Sequence, residues 1–208
     1  MAAEMVMDWD GIVDVAALSV VGRIALTTDG TLTHILEAYA GEPVQLVKLA
    51  NELVAAGEPV EPALDEGERA LRRIILLQGR DSGTAFVYAE SIVVIDRLPP
   101  SVEHGVLETD RPIGKLLIDC RFETLRHILA VWEEPAGAVA AHLGIASTDT
   151  LVARTYEIVA GGRPFARITE KFAKSGFAPI RKRVPDATVA AKTRSVADLA
   201  PIAGRGAA

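Results

Sequence analysis

The chain has 208 residues, half of them hydrophobic, with a formal net charge of −6, a pI near 5.3 and a mean hydropathy of +0.25. That length fits one domain with a substantial core, and the acidic balance argues against a nucleic-acid partner. Every apolar run is broken by charge within about ten residues, short of the roughly 20 that a spanning helix needs, and the acidic start MAAEMVMDWDG has no basic n-region; the expectation is a cytoplasmic protein without a membrane partner.

Helical spacing dominates the first forty residues. Ile12, Val15, Ala16 and Val20 recur at intervals of three and four. The stretch DGTLTHILEAYAG then offers an Asp29-Gly30 turn, a capping Thr31 and a stripe of Leu32, Ile35, Leu36 and Tyr39 ahead of Gly41. Two short helices are predicted. The next segment, EPVQLVKLANELVAAG, fits two periods: Val44, Leu46 and Lys48 alternate as in a strand, while Leu46, Leu49 and Leu53 repeat as in a helix. Pro43 at its start and the sheet that follows favour a strand to about Asn51.

RRIILLQG and AFVYAESIVVI flank a loop of turn formers, Gly79-Arg80-Asp81-Ser82-Gly83, which predicts an antiparallel hairpin. After Leu98-Pro99-Pro100, three short helices are expected: Val102 to Thr109, RPIGKLLIDC, and RFETLRHILAVWEE, whose Phe122, Leu125, Ile128, Leu129 and Trp132 form one stripe. A second hairpin turns at Gly161-Gly162, between TLVARTYEIVA and RPFARITEKFA. Antiparallel strand pairs with helices grouped between them define an α+β class: a single domain, an antiparallel β-sheet built from hairpins with helices packed over it. The domain is expected over residues 1–180. Residues 181–208 are rich in Ala, Gly and Pro and carry six basic against two acidic side chains, which predicts a poorly ordered basic tail.

Common catalytic motifs are missing: there is no G-x-G-x-x-G after a strand, no Walker loop, no H-E-x-x-H and no G-x-S-x-G. His34, His104, His127 and His142 are scattered and read as structural or solvated. Cys120 has no second cysteine to pair with and no zinc-ligand spacing around it; it reads as a small apolar side chain after Leu116, Leu117 and Ile118 rather than a reactive thiol.

What remains are charges embedded in apolar strands. Strand alternation places Glu170 with Ala166, Ile168 and Phe172, Arg73 with Ile75 and Leu77, and Glu90 with Phe86, Tyr88 and Ile92. A buried arginine and a buried carboxylate facing one cavity would hold an anion at one end, through the planar guanidinium fork, and a hydroxyl or proton at the other. The competing explanation is a buried Arg73–Glu170 ion pair with no ligand, and alternation alone does not separate the two.

The order of LRRIILLQG, RPIGKLL and GGRPFARITEKF, over Asp29 to Phe172, resembles the chorismate pyruvate-lyase family, most of all its actinobacterial branch that makes 4-hydroxybenzoate. The resemblance implies a lyase that eliminates pyruvate from chorismate with no metal and no organic cofactor, and a small aromatic or cyclohexadiene acid as partner. By position, the family's carboxylate-gripping arginine falls on Arg73, with Arg72 one register away. Its backbone N–H donors fall near Ile113 and Leu32, and its glutamate at the ring hydroxyl falls on Glu170. Glu90 stands where enterobacterial members have an arginine. The same fold is similar to the effector-binding domains of bacterial transcription regulators, so binding without reaction, or action on another aromatic acid, are the alternative expectations. A regulator would carry a helix-turn-helix of about 60 residues in front, and 28 residues precede Asp29.

Overall fold

The structure, a computed structural model, describes residues 12–55 and 57–177. The expected basic tail at 181–208, and the ends of the expected 1–180 domain, lie outside the described residues. Within them the α+β expectation is borne out. Six strands, β1 (Val44–Leu53), β2 (Ala70–Gly79), β3 (Ala85–Val94), β4 (Leu125–Pro135), β5 (Thr150–Ala160) and β6 (Arg163–Ala173), form one antiparallel sheet in the order β1-β2-β3-β6-β5-β4. The two predicted hairpins, β2–β3 and β5–β6, meet in the middle of that sheet through β3 and β6.

Among the described residues there are five α-helices: α1 (Val20–Thr27), α2 (Leu32–Ala40), α3 (Pro100–Glu108), α4 (Ile113–Asp119) and the short α5 (Ala140–Leu143). None is long and apolar enough to cross a membrane. α1 begins where Ser19 Oγ accepts from Gly22 N–H at 3.0 Å, an N-cap that satisfies one of the orphan donors of the first turn. Helices α1 to α4 cover one face of the sheet and bury Leu26, Leu36, Val102, Val106 and Leu116 against Val87, Val93, Ile158 and Phe172. Gly105 is needed where α3 meets α4: a Cβ there would lie 2.5 Å from Leu116 Cδ2. Cys120 is half-buried against this core.

One expected helix is a strand. Residues 125–135 pair with β5 along their whole length, with an irregularity between Ile128 and Ala130. This bulge explains the misleading pattern: it places Ile128 and Val131 on the same inner face although they are three apart, the spacing of a helix. Phe122 lies ahead of the strand, and Leu125 and Leu129 are exposed rather than part of a buried stripe.

The opposite face is polar. Thr155 and Thr169 are hydrogen-bonded at 2.6 Å, Arg167 pairs with Glu157 at 2.8 Å and Lys171 with Glu134 at 2.8 Å. Near α5, Tyr88 stacks on His142 with ring centroids 5.7 Å apart.

Candidate active site

Residues directly opposite each other in an antiparallel pair share a face, so the strand registers fix which side chains meet. Across the sheet, Arg73 on β2 lies in one row with Ser91 on β3, Ile168 on β6, Tyr156 on β5 and Ile128 on β4. The adjacent row on the same face runs Ile75, Ala89, Glu170, Arg154 and Val131. Helices α2 and α4 begin above these rows and close a cavity of about 50 Å3, room for the order of a few waters. Arg73, Glu170, Tyr156, Leu32 and Ile113 all line it.

Arg73 and Glu170 are therefore brought into one cavity, as expected, but they are not partners. Two strand spacings separate β2 from β6, roughly 10 Å, with a further offset along the strand. The carboxylate has a different cation. Arg154 stands directly opposite it, its Nε donating to Glu170 Oε2 at 2.8 Å and its Nη2 2.7 Å from the same oxygen. Tyr156 O–H donates to Glu170 Oε1 at 3.0 Å. The competing explanation, a buried Arg73–Glu170 ion pair, is thus corrected: the carboxylate's cationic partner is Arg154, only 1% exposed. Arg154 is further satisfied by the carbonyl end of α1, donating to Thr28 O at 2.8 Å, and its guanidinium lies 5.1 Å from the Tyr156 ring centroid. Burial, then the neighbouring Glu170 charge, pushes the Tyr156 phenol well above its ordinary pKa despite opposing pulls from Arg154 and Arg126. Tyr156 is consequently a fixed donor at neutral pH.

Arg73 is the opposite case. It is 3% exposed, and its Nε and Nη2 are buried without a hydrogen-bond acceptor among the described residues. Burial pulls its guanidinium below the ordinary arginine range, with Asp110 opposing. That aspartate is itself mostly exposed and bound to Lys48 at 2.9 Å. A buried cation with free donors, in a cavity walled by Leu46, Ile75, Leu77 and Ile168, is a ready receptor for an anion.

The register also decides between the two adjacent arginines. Arg72 points to the opposite face, where it forms an ion pair with Glu58. Glu90 is likewise corrected as a substrate-binding candidate: it pairs with Ile74, is exposed, and lies with Arg72 and Arg167 on the polar face. Alternation within each strand was legible, but which face of β3 matches which face of β2 depends on the hairpin register and its irregularity between Leu77 and Gln78.

Leu32 and Ile113 are the first residues of α2 and α4, whose cap residues Thr31 and Pro112 make no side-chain capping bond. Their first-turn N–H groups border the cavity, where an anion would find donors. Gly114 lets the two helix starts meet, since a Cβ there would lie 2.9 Å from Thr31 Cγ2. Lys115 to Glu37, at 2.6 Å, ties α4 to α2 beside the site.

Sequence reasoning missed Arg154 and Tyr156. Their signal was present, because Val152, Arg154, Tyr156 and Ile158 alternate onto one face exactly as far as Glu170 intrudes on the other strand's apolar side. A regular hairpin closing on Gly161-Gly162, with Ala160 opposite Arg163, would however have set Arg154 against Thr169. The extra residue at Phe165, next to Pro164 with its missing N–H, shifts the register by one and sets it against Glu170.

A six-stranded antiparallel sheet whose helix-covered face encloses a small cavity defines the class by its architecture: the α+β fold of effector domains. The effector domain of PhnF from Mycobacterium smegmatis superposes with a TM-score of 0.55 at 15% identity, over 71% of this chain and 91% of that one. Likeness at that identity is one of fold. Family comes from sequence: residues 26–177 match the family described as Chorismate pyruvate-lyase Rv2949c-like, and the chain belongs to it. The chorismate pyruvate-lyase of Mycobacterium tuberculosis (strain ATCC 25618 / H37Rv) is 34% identical over 173 residues, covering 79% of this chain and 85% of that protein. That of Mycobacterium leprae (strain TN) is 37% identical over 158 residues, covering 74% and 75%.

Proposed function

We propose that the protein eliminates pyruvate from chorismate to give 4-hydroxybenzoate. The observation that carries this reading, beside family membership, is the unpaired Arg73 guanidinium facing a Tyr156–Glu170 pair across one apolar cavity. The ring carboxylate accepts from Arg73 and from N–H groups at Leu32 and Ile113. At the other end the ring hydroxyl donates to Glu170, whose remaining lone pairs are aimed by its bonds to Arg154 and Tyr156.

In the reaction the ring–oxygen ether bond breaks, and its electron pair leaves on the enolpyruvate oxygen. The ring carbon bearing the hydroxyl loses its hydrogen as a proton, and the methylene carbon of enolpyruvate gains one to become pyruvate, so protons balance. Aromatisation supplies the driving force. The protein's share is to hold the diene in a reactive conformer, keep water out, and offset charge on the departing oxygen. We assign Glu170 the role of orienting acceptor: Arg154 and Tyr156 fix its two oxygens and leave their remaining lone pairs to the ring hydroxyl.

The test is to incubate purified protein with chorismate and follow pyruvate and the hydroxybenzoate isomers by chromatography. Stoichiometric pyruvate and 4-hydroxybenzoate, formed faster than in a no-enzyme control, is the expected result. Loss of chorismate no faster than the control would overturn the reading, and binding of aromatic acids without turnover would then point to an effector-like module.

A further inference from the structure

Resting on the chorismate reading, we propose that Arg126 is a second carboxylate receptor, which makes the site selective for a ring acid carrying another carboxylate on a side arm. Arg126 sits at the start of β4, at the far margin of the sheet from Arg73. It lines two spaces at once: the buried cavity, and an open cleft formed with Leu117, Phe122 and Glu123. Gly30, Thr31 and Gly114 are common to both, so Arg126 stands in the partition between the interior and the exit.

Its surroundings leave it available. Among the described residues its one hydrogen bond is from Nη1 to the Asp29 carbonyl at 2.9 Å, which fixes the guanidinium without neutralising it. Gly114 leaves room beside it, since a Cβ there would approach Nη2 to 3.4 Å.

The charge balance points the same way. Three ionisable carboxylate or guanidinium side chains line the cavity, Arg73, Arg126 and Glu170, and Glu170 is neutralised from behind by Arg154. Two positive charges remain, entering from opposite margins. In the cleft, Arg121 and Glu123 are both exposed and offset each other. A monocarboxylate would satisfy one arginine, whereas a dicarboxylate would satisfy both. Chorismate is such a dianion, with one carboxylate on the ring and one on the enolpyruvyl arm. With the ring acid on Arg73, the arm would extend through the partition to Arg126, and the aromatic product, left with a single carboxylate, would lose that contact. Differential binding of this kind favours release of product over retention.

The test compares two stable probes by titration calorimetry: 4-hydroxybenzoate, and 3-(carboxymethoxy)-4-hydroxybenzoate, an unreactive aromatic diacid. Arg126→Gln should weaken the diacid about tenfold or more while changing the monoacid less than about twofold, and Arg126→Lys should recover part of the loss. Equal weakening of both probes would overturn the proposal and assign Arg126 to holding the Asp29 turn; no weakening of either would overturn it outright. Thermal melting of each variant separates loss of fold from loss of binding. The chorismate assay on the unsubstituted protein reads the lyase assignment separately, since diacid selectivity is measured without turnover.

Discussion

The two hairpins each bury an arginine on the same face of the sheet, and the protein treats them in opposite ways. In β5–β6, Arg154 is saturated by Glu170, the carbonyl end of α1 and the Tyr156 ring. In β2–β3, Arg73 is just as far from water, yet among the described residues Nε and Nη2 have no acceptor. A buried ion pair roughly breaks even against apolar replacements, whereas a buried charge without a partner is a cost that persists only where something else is gained. The first arginine is held by the protein itself, and the second is the one that the proposed function gives to the ligand.

Breaking the pair on the stable side should have the largest effect. Arg154→Met leaves Glu170 as an uncompensated carboxylate in the core, and is expected to cost ~3–5 kcal/mol in urea unfolding, a fall in Tm on the order of 10 °C. Adding Glu170→Met to that variant should restore much of the loss, which would show that the unpaired charge and not the cavity is responsible. If Arg154→Met unfolds normally, Arg154 is not the partner that matters.

Arg73→Met should do the reverse. Removing an unsatisfied cation is expected to leave unfolding stability unchanged or raise it by about 1 kcal/mol, while turnover per substrate concentration falls roughly 100-fold or more. A strongly destabilised Arg73→Met protein would contradict the contrast between the hairpins. Glu170→Gln keeps the shape but weakens both ends of the comparison, with an expected loss of ~2 kcal/mol and a lower kcat, measured on the same samples.

A smaller effect concerns the clasp that holds α2 to α4. Burial alone would raise the Glu37 carboxyl, but the Lys115 hydrogen bond and the Val44 N–H outweigh it and hold the group below its ordinary value. A carboxylate depressed on folding adds stability above its unfolded pKa and loses it as pH falls through the folded value. The clasp should therefore weaken only below about pH 4, by roughly half a kcal/mol because both groups are partly in water. Glu37→Gln should abolish that acid-side step in a pH series of melting curves. Least of all, Glu90→Ala on the polar face should leave turnover within about twofold of the parent, and a large loss would put that face back into the reaction.

Much of this was legible in the chain. Gly161-Gly162 marked the second hairpin, the Gly79 to Gly83 loop the first, and Glu170 among Ile168 and Phe172 marked a buried charge, because turn chemistry and strand alternation are local properties. Motif order also pointed to Arg73, Leu32 and Ile113. Less was legible where a bulge intervened. Residues 121–134 read as a helix since the bulge after Ile128 imitates helical spacing, and the sheet face of Glu90 was not legible since alternation within one strand is silent about the next.

By itself, then, the sequence determined the α+β class, the hairpins, and which side chains sit on apolar strand faces, all of which follow from a few residues of chain at a time. Only the tertiary structure decided that Glu170 belongs to Arg154 and that Arg73 Nε and Nη2 have no acceptor among the described residues. Pairing across strands depends on register, and a single extra residue beside Pro164 moves every partner by one.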